Sequence, residues 1–424
     1  MRTASAAFQA KASIGAPLLW RITIGSTPYT NRDILTDSII FKSGVMPAGR
    51  FEPGGAVISS LSFTLRDMAG TLSVAVGAAV TVEVGYLIEL TPVYIDYARM
   101  IVSEVTPLDH GVSIRCLDRL SMLDESELTI TYPTTVLGMV QAALSGSGIT
   151  LASTSFAGAS MTIRDPGENY NSFTKRQALG YCMQMTGQFC RIDSTGRLVI
   201  GWFNSAAPVT AAAIFSRSCT TGSQYTGARV AKNGQADIDT SLIGSEGVVY
   251  VLKGNPLVSG ANVATVKTLV WGALNGLWFS SGRMSILSNP LLEPGDMLSA
   301  KVFREETRLF PVTQLTLKGT VQCNVECDSA ENCLLTDQRQ TSNETPDNEA
   351  YQLAEEAYRL AEQGGGGLPA GGTTGQVLTK ASAADRDVTW ADVSGGTNIV
   401  FVLASAFDPT TVYSRDTLIV VLDG

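Results

Sequence analysis

The chain has 424 residues, of which 45% are hydrophobic and 16% are charged. Because this length exceeds one ordinary core, we expect roughly two to four domains. A net charge of −9 without any run of Lys or Arg argues against stable binding to a nucleic-acid backbone. The absence of a long apolar run predicts no membrane-spanning helix.

The seven cysteines are scattered through the chain without the spacing of a disulfide framework. This distribution is typical of a protein that is made in a reducing cytosol. The first twenty residues contain the basic residues Arg2 and Lys11 but no continuous apolar core, so we expect no secretory signal.

Residues 1–125 are predicted to form an antiparallel β domain. Apolar and polar residues alternate in Leu19–Ile24 and in three further stripes, as expected of half-buried strands. The stripes are Val57, Ser59, Leu61, Phe63 and Leu65; Val80, Val82 and Val84; and Val112, Ile114 and Cys116. Turn signals at Pro53-Gly54-Gly55 and Asp109-His110-Gly111 separate them, which indicates a barrel or a sandwich.

Residues 126–205 are predicted to form an α/β insertion. A helix should follow Tyr132-Pro133, with Thr134 or Thr135 as its N-cap and its end near Ser145-Gly146. A second helix is predicted over Lys175–Thr186, because apolar residues recur there at helical spacing and Gly187 follows at the C′ position. Phe189–Phe203 predicts a hairpin that turns on residues 193–196.

Residues 206–335 are again predicted to consist mostly of strands. Val248–Leu252 is a short apolar strand, and Leu291–Val302 contains a Pro-Gly-Asp turn followed by another strand. Thr313–Leu317 and Thr320–Val325 predict a hairpin around Lys318-Gly319. We therefore expect two related β regions, packed side by side and separated in sequence by the insertion.

Residues 336–368 are predicted to form a polar linker, a neck helix and a joint of four glycines, Gly364 to Gly367. Pro346 in the first turn and Thr345 as N-cap mark the start of the helix. Its two apolar stripes favour either packing on the body or self-association around an axis. The oligomer-interface candidates are Tyr351, Leu353, Ala354, Ala357, Tyr358, Leu360 and Ala361.

Residues 369–424 are predicted to form a small, turn-rich module. Its strand-like segments are Gln376–Thr379 and Val388–Trp390. A large body, a helical neck, a flexible joint and an appended module together suggest a structural or attachment protein.

No convincing set of catalytic residues is present. The single histidine, His110, falls in a predicted turn, and one histidine cannot supply a His-based zinc site. The series Cys323-x3-Cys327-x5-Cys333 is loosely spaced and has no fourth ligand, so buried thiols are expected. Three acidic pairs are interpreted as solvated faces: Asp124-Glu125, Glu305-Glu306 and Glu355-Glu356. No phosphate-binding glycine motif occurs, and we expect no enzyme activity, metal or cofactor.

Several phrases resemble tail hub proteins of bacteriophages and prophages, which lie at the distal end of the tail tube. They are SIIFKSGVMPAGRFEPGGAVISSLSFTLRD, IRCLDRLSMLDE, TYPTTVLGMVQAAL, NSFTKRQALGYCMQMTGQFCRIDSTGRLVIGWF and NPLLEPGDMLSAKV, in the expected order over most of residues 30–330. The later phrase GGTTGQVLTKASAADRDVTWADV is similar to a module of phage tail fibres and tip adhesins.

The resemblance implies a mainly β fold with two tube-type antiparallel β-barrel domains, at 1–125 and 206–335, and an α/β domain at 126–205. It implies a homotrimeric virion protein of the tail tip, assembled in the host cytoplasm. The expected partners are the distal tail or tail tube protein, the tape-measure protein, tail fibre or receptor-binding proteins, and DNA in passage only.

Two alternatives remain open at this point. Many relatives extend into a peptidase or muralytic domain, which this sequence lacks after its neck helix, yet a tail-associated cell-wall hydrolase stays an alternative. A hub of a tailocin or of another contractile injection machine would share the same fold.

Overall fold

The computed structural model of the protein describes most of residues 2–330 and four later strands. The described ranges are 2–46, 51–68, 70–124, 126–166, 173–220, 222–231, 237–303, 306–319 and 322–330, followed by 376–380, 388–392, 400–404 and 417–421. The chain divides into two compact units, Met1–Arg339 and Gln340–Gly424.

The first unit combines helices with many short strands. Its described α-helices are α1 (Ala6–Ser13), α2 (Val136–Leu144), α3 (Lys175–Thr186) and α4 (Val263–Leu274). Its strands up to the insertion are β1 (Leu19–Ile24), β2 (Thr27–Thr30), β3 (Ile40–Gly44), β4 (Ser60–Arg66), β5 (Ala79–Ile88), β6 (Thr91–Leu108) and β7 (Gly111–Asp118).

The remaining strands of the first unit lie in the insertion and in the second β region. They are β8 (Thr134–Thr135), β9 (Thr162–Ile163), β10 (Phe189–Ile192), β11 (Leu198–Gly201), β12 (Val209–Thr210), β13 (Ile214–Cys219), β14 (Gly227–Val230), β15 (Ile243–Gly244), β16 (Val249–Leu252), β17 (Gly282–Leu287), β18 (Met297–Phe303), β19 (Glu306–Pro311), β20 (Gln314–Lys318) and β21 (Gln322–Cys327).

One antiparallel sheet of eleven strands organises this unit, in the order β13-β17-β21-β20-β3-β4-β7-β6-β5-β1-β2. The pairing of β3 with β20, which sets Phe41 opposite Leu317, joins the first β region to the second. The predicted mainly β fold with α+β insertions is therefore confirmed. The proposed domain boundaries at 125, 205 and 335 stay predictions. Strands from both β regions, 1–125 and 206–335, belong to this one sheet.

The large sheet curls around a common core. The ring of Tyr97 on β6 lies 4.9 Å from that of Phe41 on β3 and 6.1 Å from that of Trp20 on β1, although these strands are not neighbours in the sheet. All three side chains are almost fully buried. Alternation along each strand explains this, since every second residue faces inward.

The predicted helix α3 has the bounds expected from sequence. Thr174 and Gln177 form a reciprocal capping box at its start, and Gly187 ends it in the left-handed conformation with φ of 69°. Cys182 and Met185 on its apolar face are completely buried. Helix α2 likewise starts after Thr135, whose side chain accepts a hydrogen bond from the Gly138 amide.

Helix α4 corrects the prediction of strand patterns through residues 206–335. Its residues Val263, Val266, Val270 and Leu274 are buried on one face. The intrinsic propensity of the β-branched valines favours a strand. Their spacing nevertheless matches one face of a helix, which packs on β14. The short strands β14 and β16 pair in parallel beside it.

The second unit contains two strand pairs among its described residues. β22 (Gln376–Lys380) and β23 (Val388–Asp392) are antiparallel, with Leu378 opposite Trp390. This hairpin includes both strand-like segments predicted from sequence. β24 (Val400–Ala404) pairs in parallel with β25 (Thr417–Val421). The predicted neck helix and all seven of its interface candidates lie outside the described residues.

No helix in the described part of the chain has the length and apolar character needed to cross a membrane.

Replacing Gly187 by Ala should destabilise the protein more than replacing Gly146 by Ala. Both glycines have positive φ, so each substitution carries backbone strain of about 1 kcal/mol. A Cβ at Gly187 would also lie 2.9 Å from the Leu269 carbonyl oxygen, whereas Gly146 faces open space. Urea unfolding midpoints of the two variants measure the difference. Equal midpoints would show that the close approach to α4 is unimportant.

Candidate functional site

Residues 51–55, called here the crossing segment, run between the first β region and the insertion. The amide of Gly54 donates to the Gln188 carbonyl at 2.8 Å, and the amide of Cys190 donates to the Gly55 carbonyl at 2.9 Å. A Cβ at Gly55 would lie only 1.6 Å from the Val45 carbonyl oxygen. Only glycine therefore fits where this segment passes the end of α3.

Phe51 connects all three regions of the body through aromatic contacts. Its ring is fully buried and lies 5.8 Å from Trp202 and 5.3 Å from Phe203, at the end of the insertion. The ring of Phe279, in the second β region, lies 4.3 Å away. The Tyr225 hydroxyl donates to the Phe51 carbonyl oxygen. Such contacts add specific geometry to a large buried apolar area.

Asp118, from the phrase IRCLDRL, forms hydrogen bonds with backbone amides of the protein. Its carboxylate accepts hydrogen bonds from the amides of Ser59, at 2.7 Å, and Leu120, at 3.0 Å. Burial raises the pKa of Asp118 to about 6, although the Ser59 and Leu120 hydrogen bonds act in the opposite direction.

Arg176 on α3 ties the insertion to the first β region beside Asp118. Its Nε donates to the Asp124 carboxylate at 2.6 Å, and its Nη1 donates to the Ala56 carbonyl at 3.2 Å. Asp124 belongs to one of the predicted acidic pairs, and its described contact is this ion pair.

Glu293, from the phrase NPLLEPGD, lies between two arginines. Its Oε1 is 3.1 Å from Arg191 Nη1 on β10 and 3.6 Å from Arg2 Nε. The side chains of Glu293 and Arg2 are at most 10% exposed. Burial alone would raise the pKa of Glu293, but the two guanidinium groups outweigh it and hold that pKa below its usual value.

Arg2 fixes the N-terminal segment at the same place. It donates to the carbonyl oxygens of Pro290, Leu292 and Tyr97 at 3.1 to 3.3 Å, and its guanidinium lies 4.0 Å from the centre of the Tyr97 ring. This role could not be predicted from sequence, since Arg2 is an isolated charge near the start of the chain.

These groups form one continuous set, called here the motif joint: the crossing segment, Asp118, Arg176, Phe189–Arg191 and Glu293. Four of the phrases that resemble tail hub proteins meet there. Its carboxylates hold amides and arginines, an arrangement suited to fixing the three regions relative to each other. Within the described ranges, no three His, Cys, Asp or Glu side chains are grouped as metal ligands.

A cleft of about 490 Å³ adjoins the motif joint. Its charged lining includes Arg2, Arg191 and Glu293, which contact each other as described above. Asp96 pairs with Arg99 and Asp193 pairs with Arg197, both at 2.9 Å. The charges of the cleft are thus compensated within the protein.

The other residues singled out from sequence lie apart from the joint. His110 is exposed in the turn between β6 and β7. Cys323 and Cys327 are buried in β21, and burial raises the pKa of Cys323 to about 12. Glu306 pairs with Arg308 at 2.8 Å. Cys333, Glu125, Glu305 and the pair Glu355-Glu356 lie outside the described residues.

No protein-family model matches the chain, and no curated protein matches it. Solved tail proteins are similar in structure. The 43 kDa tail protein of prophage MuSo2 from Shewanella oneidensis is 10% identical, with 74% of this chain and 99% of that chain covered and a TM-score of 0.48. The tail protein from Neisseria meningitidis MC58 is 12% identical, with 75% and 99% covered and a TM-score of 0.46.

Prophage tail protein gp18 from Listeria monocytogenes EGD-e is 11% identical, with 77% of this chain and 98% of that chain covered and a TM-score of 0.47. These similarities are distant and concern the fold. The fibre-type module at 369–424 stays a prediction.

Replacing Glu293 by Gln should cost about 3 to 5 kcal/mol of folding free energy, because it leaves two poorly exposed arginines without their counter-charge. Glu326→Gln is the matched control, since its partner Arg283 is 78% exposed and 3.4 Å away. That change should cost less than about 1 kcal/mol. Chemical denaturation measures both, and equal losses would contradict a structural role for Glu293.

Asp118 should make stability fall as pH rises from about 4 to about 6. Its pKa is raised in the folded state to about 6 from an ordinary 3.8. In this pH window the folded state binds more protons than the unfolded state. The free energy of unfolding therefore decreases as pH rises, by roughly 3 kcal/mol in all.

The variant Asp118→Asn removes this titration. The loss of stability that it causes should therefore be largest near pH 4 and smaller at pH 7, as measured by urea unfolding over that range. A loss that is constant with pH, or grows as pH rises, would contradict the assignment.

Proposed function

We propose that the chain is a structural protein of a phage or prophage tail, a trimeric hub of the baseplate or tail tip. The observation that carries the proposal is the motif joint. Four separate phrases that resemble tail hub proteins contribute to it Gly54, Asp118, Arg176 and Glu293. Gly54, Arg176 and Glu293 each make a contact between regions of the body, whereas Asp118 binds the Ser59 amide within the first β region.

A structural role also agrees with how the polar groups of the joint are used. Its acidic groups bind backbone amides or guanidinium groups, and its aromatic groups pack with each other. The function would then be performed by surfaces, with the joint keeping those surfaces in a fixed relation. The net charge of −9 would let DNA pass without adhering.

The proposed assembly has several partners. The body would contact the distal tail or tail tube protein and the tape-measure protein, and copies of the chain would associate through the neck helix. The module at 369–424, which includes the hairpin β22–β23, would couple fibre or receptor-binding proteins to the tip or cap it. Assembly would take place in the host cytoplasm.

An amber mutation in the gene tests the tail role. In a non-suppressing host we expect particles without complete tails, and in the wild type we expect an antibody against the body to label the distal tail end in electron micrographs. Normal, infectious particles that lack the chain would contradict the proposal. Clear lysis of peptidoglycan by the purified chain in a zymogram would favour the cell-wall hydrolase instead.

The neck proposal has its own test in the mass of the purified full chain. Light scattering should give three times 44.8 kDa at micromolar concentration. The double variant Leu353→Lys, Tyr358→Lys places charge in both apolar stripes and should give monomers, whereas Gln352→Lys, off the stripes, should not. A monomeric wild type, or a trimeric double variant, would contradict assembly through the neck.

A further inference from the structure

The end of the β5–β6 hairpin projects beyond the strands on either side of it. In the described sheet, β1 pairs with β5 only as far as Gly85, and β7 pairs with β6 only from Met100 onward. Between these points the two strands of the hairpin pair only with each other. Ile88–Thr91, called here the hairpin tip, therefore stands clear of the sheet.

The two residues of the turn at this tip are strained. Ile88 lies opposite Thr91, so Glu89 and Leu90 alone form the turn. Their φ angles are 48° and 64°, in the left-handed region, and no other non-glycine residue of the described chain has a positive φ. Two-residue hairpin turns usually place Asn and Gly there. Strain of this kind persists where the surrounding structure and the function require it.

The same two residues present an apolar and an acidic side chain to solvent. Leu90 is 89% exposed, more than any other large hydrophobic side chain in the described part of the chain. Glu89 is also exposed, and it makes no hydrogen bond or ion pair with a described residue. A turn of Asn and Gly would relieve the strain and remove the exposed leucine. The Glu-Leu pair therefore indicates a binding role for the tip.

A cleft of about 500 Å³ on the body has the complementary chemistry. It lies between residues 158–164, around β9, and helix α4, and is called here the α4 cleft. Met161 and Leu269 supply apolar surface, and Thr265 adds a hydroxyl. Arg164 also lines it, is exposed, and has no hydrogen bond or ion pair to a described residue. The cleft thus offers apolar surface beside an uncompensated positive charge.

We propose that the hairpin tip of one copy of the chain docks in the α4 cleft of a neighbouring copy. Leu90 packs against Met161 and Leu269, and Glu89 pairs with Arg164. Each copy supplies a tip to one neighbour and a cleft to the other, so the contact is head-to-tail and can close a ring. The strained turn holds Leu90 in place before docking, which reduces the entropy lost on binding.

This inference rests on the trimer proposed above and gives it an interface that is separate from the neck helix. The contact is small compared with a standard protein interface, so it would act together with the neck. It also assigns opposite faces to a copy, one with the tip and one with the cleft. A partner without a basic apolar cleft would not compensate the Glu89 charge.

Cysteine cross-linking of the full chain tests the contact directly. The double variant Leu90→Cys, Thr265→Cys places one thiol on the tip and one in the cleft, both at exposed positions. After mild oxidation we expect covalent trimers of three times 44.8 kDa on a non-reducing gel. The matched control is Leu108→Cys, Thr265→Cys, since Leu108 is 52% exposed beside a different turn. The single variant Leu90→Cys gives the background from native thiols.

Light scattering on the same samples separates this proposal from that of the neck. Trimers that cross-link no better than the control would overturn the docking of the tip and leave the neck proposal standing. Monomers without cross-links would contradict both proposals. Cross-linked chains that are monomeric after reduction would support the docking and contradict the neck.

Charge reversal in the cysteine background tests the pair of Glu89 and Arg164. Glu89→Arg and Arg164→Glu should each slow cross-linking about tenfold, because like charges then meet in the cleft. The two changes together restore opposite charges and should recover most of the rate. Single variants with the unchanged rate, or a combined variant as slow as the slower single one, would overturn the pairing.

Discussion

The structure depends on the close passage of the crossing segment between Val45 and the end of α3. Gly55 has no room for a side chain, and the hydrogen bonds of Gly54 and Cys190 fix the segment from both directions. Because Phe51 enters an aromatic group shared by all three regions, the position of the insertion is set by the same few residues. A displacement here would disturb the packing of the whole body.

The buried charges at the motif joint favour one defined packing of the body more than they favour high stability. Removing Glu293, Arg2 and Arg191 from water is unfavourable, and their attraction offsets this only when the geometry is good. Such a cluster therefore contributes less to stability than to a defined arrangement, because any other packing leaves a charge unpaired. For a protein that acts through surfaces held in a fixed relation, this defined arrangement is the useful property.

Sequence reasoning was successful where the signals are local. Helix α3 was predicted to the residue, since its cap at Thr174, its apolar spacing and Gly187 all lie within one short window. Strand β1 and the hairpin β10–β11 were predicted for the same reason. The pairing of β3 with β20 joins distant parts of the chain and leaves no local signal. Helix α4 was missed because its valines locally favour a strand.

For the joint, the sequence supplied the right phrases without their geometry. Asp118 and Glu293 stand inside phrases that resemble tail hubs, but their partners Ser59, Arg191 and Arg2 are far away in the chain. Composition cannot reveal such pairs. Exposed turns such as that of His110, by contrast, were predictable from their own residues.

Hydrogen exchange on the full chain tests the claim that the joint unites the three regions. The amides of Gly54 and Cys190 should exchange only through global unfolding, with protection equal to that of central amides in β4 and β7. This result would show that the crossing segment opens only when the whole body unfolds. Exchange at Gly54 and Cys190 that is about a hundredfold faster would show a separately opening insertion and would contradict the account.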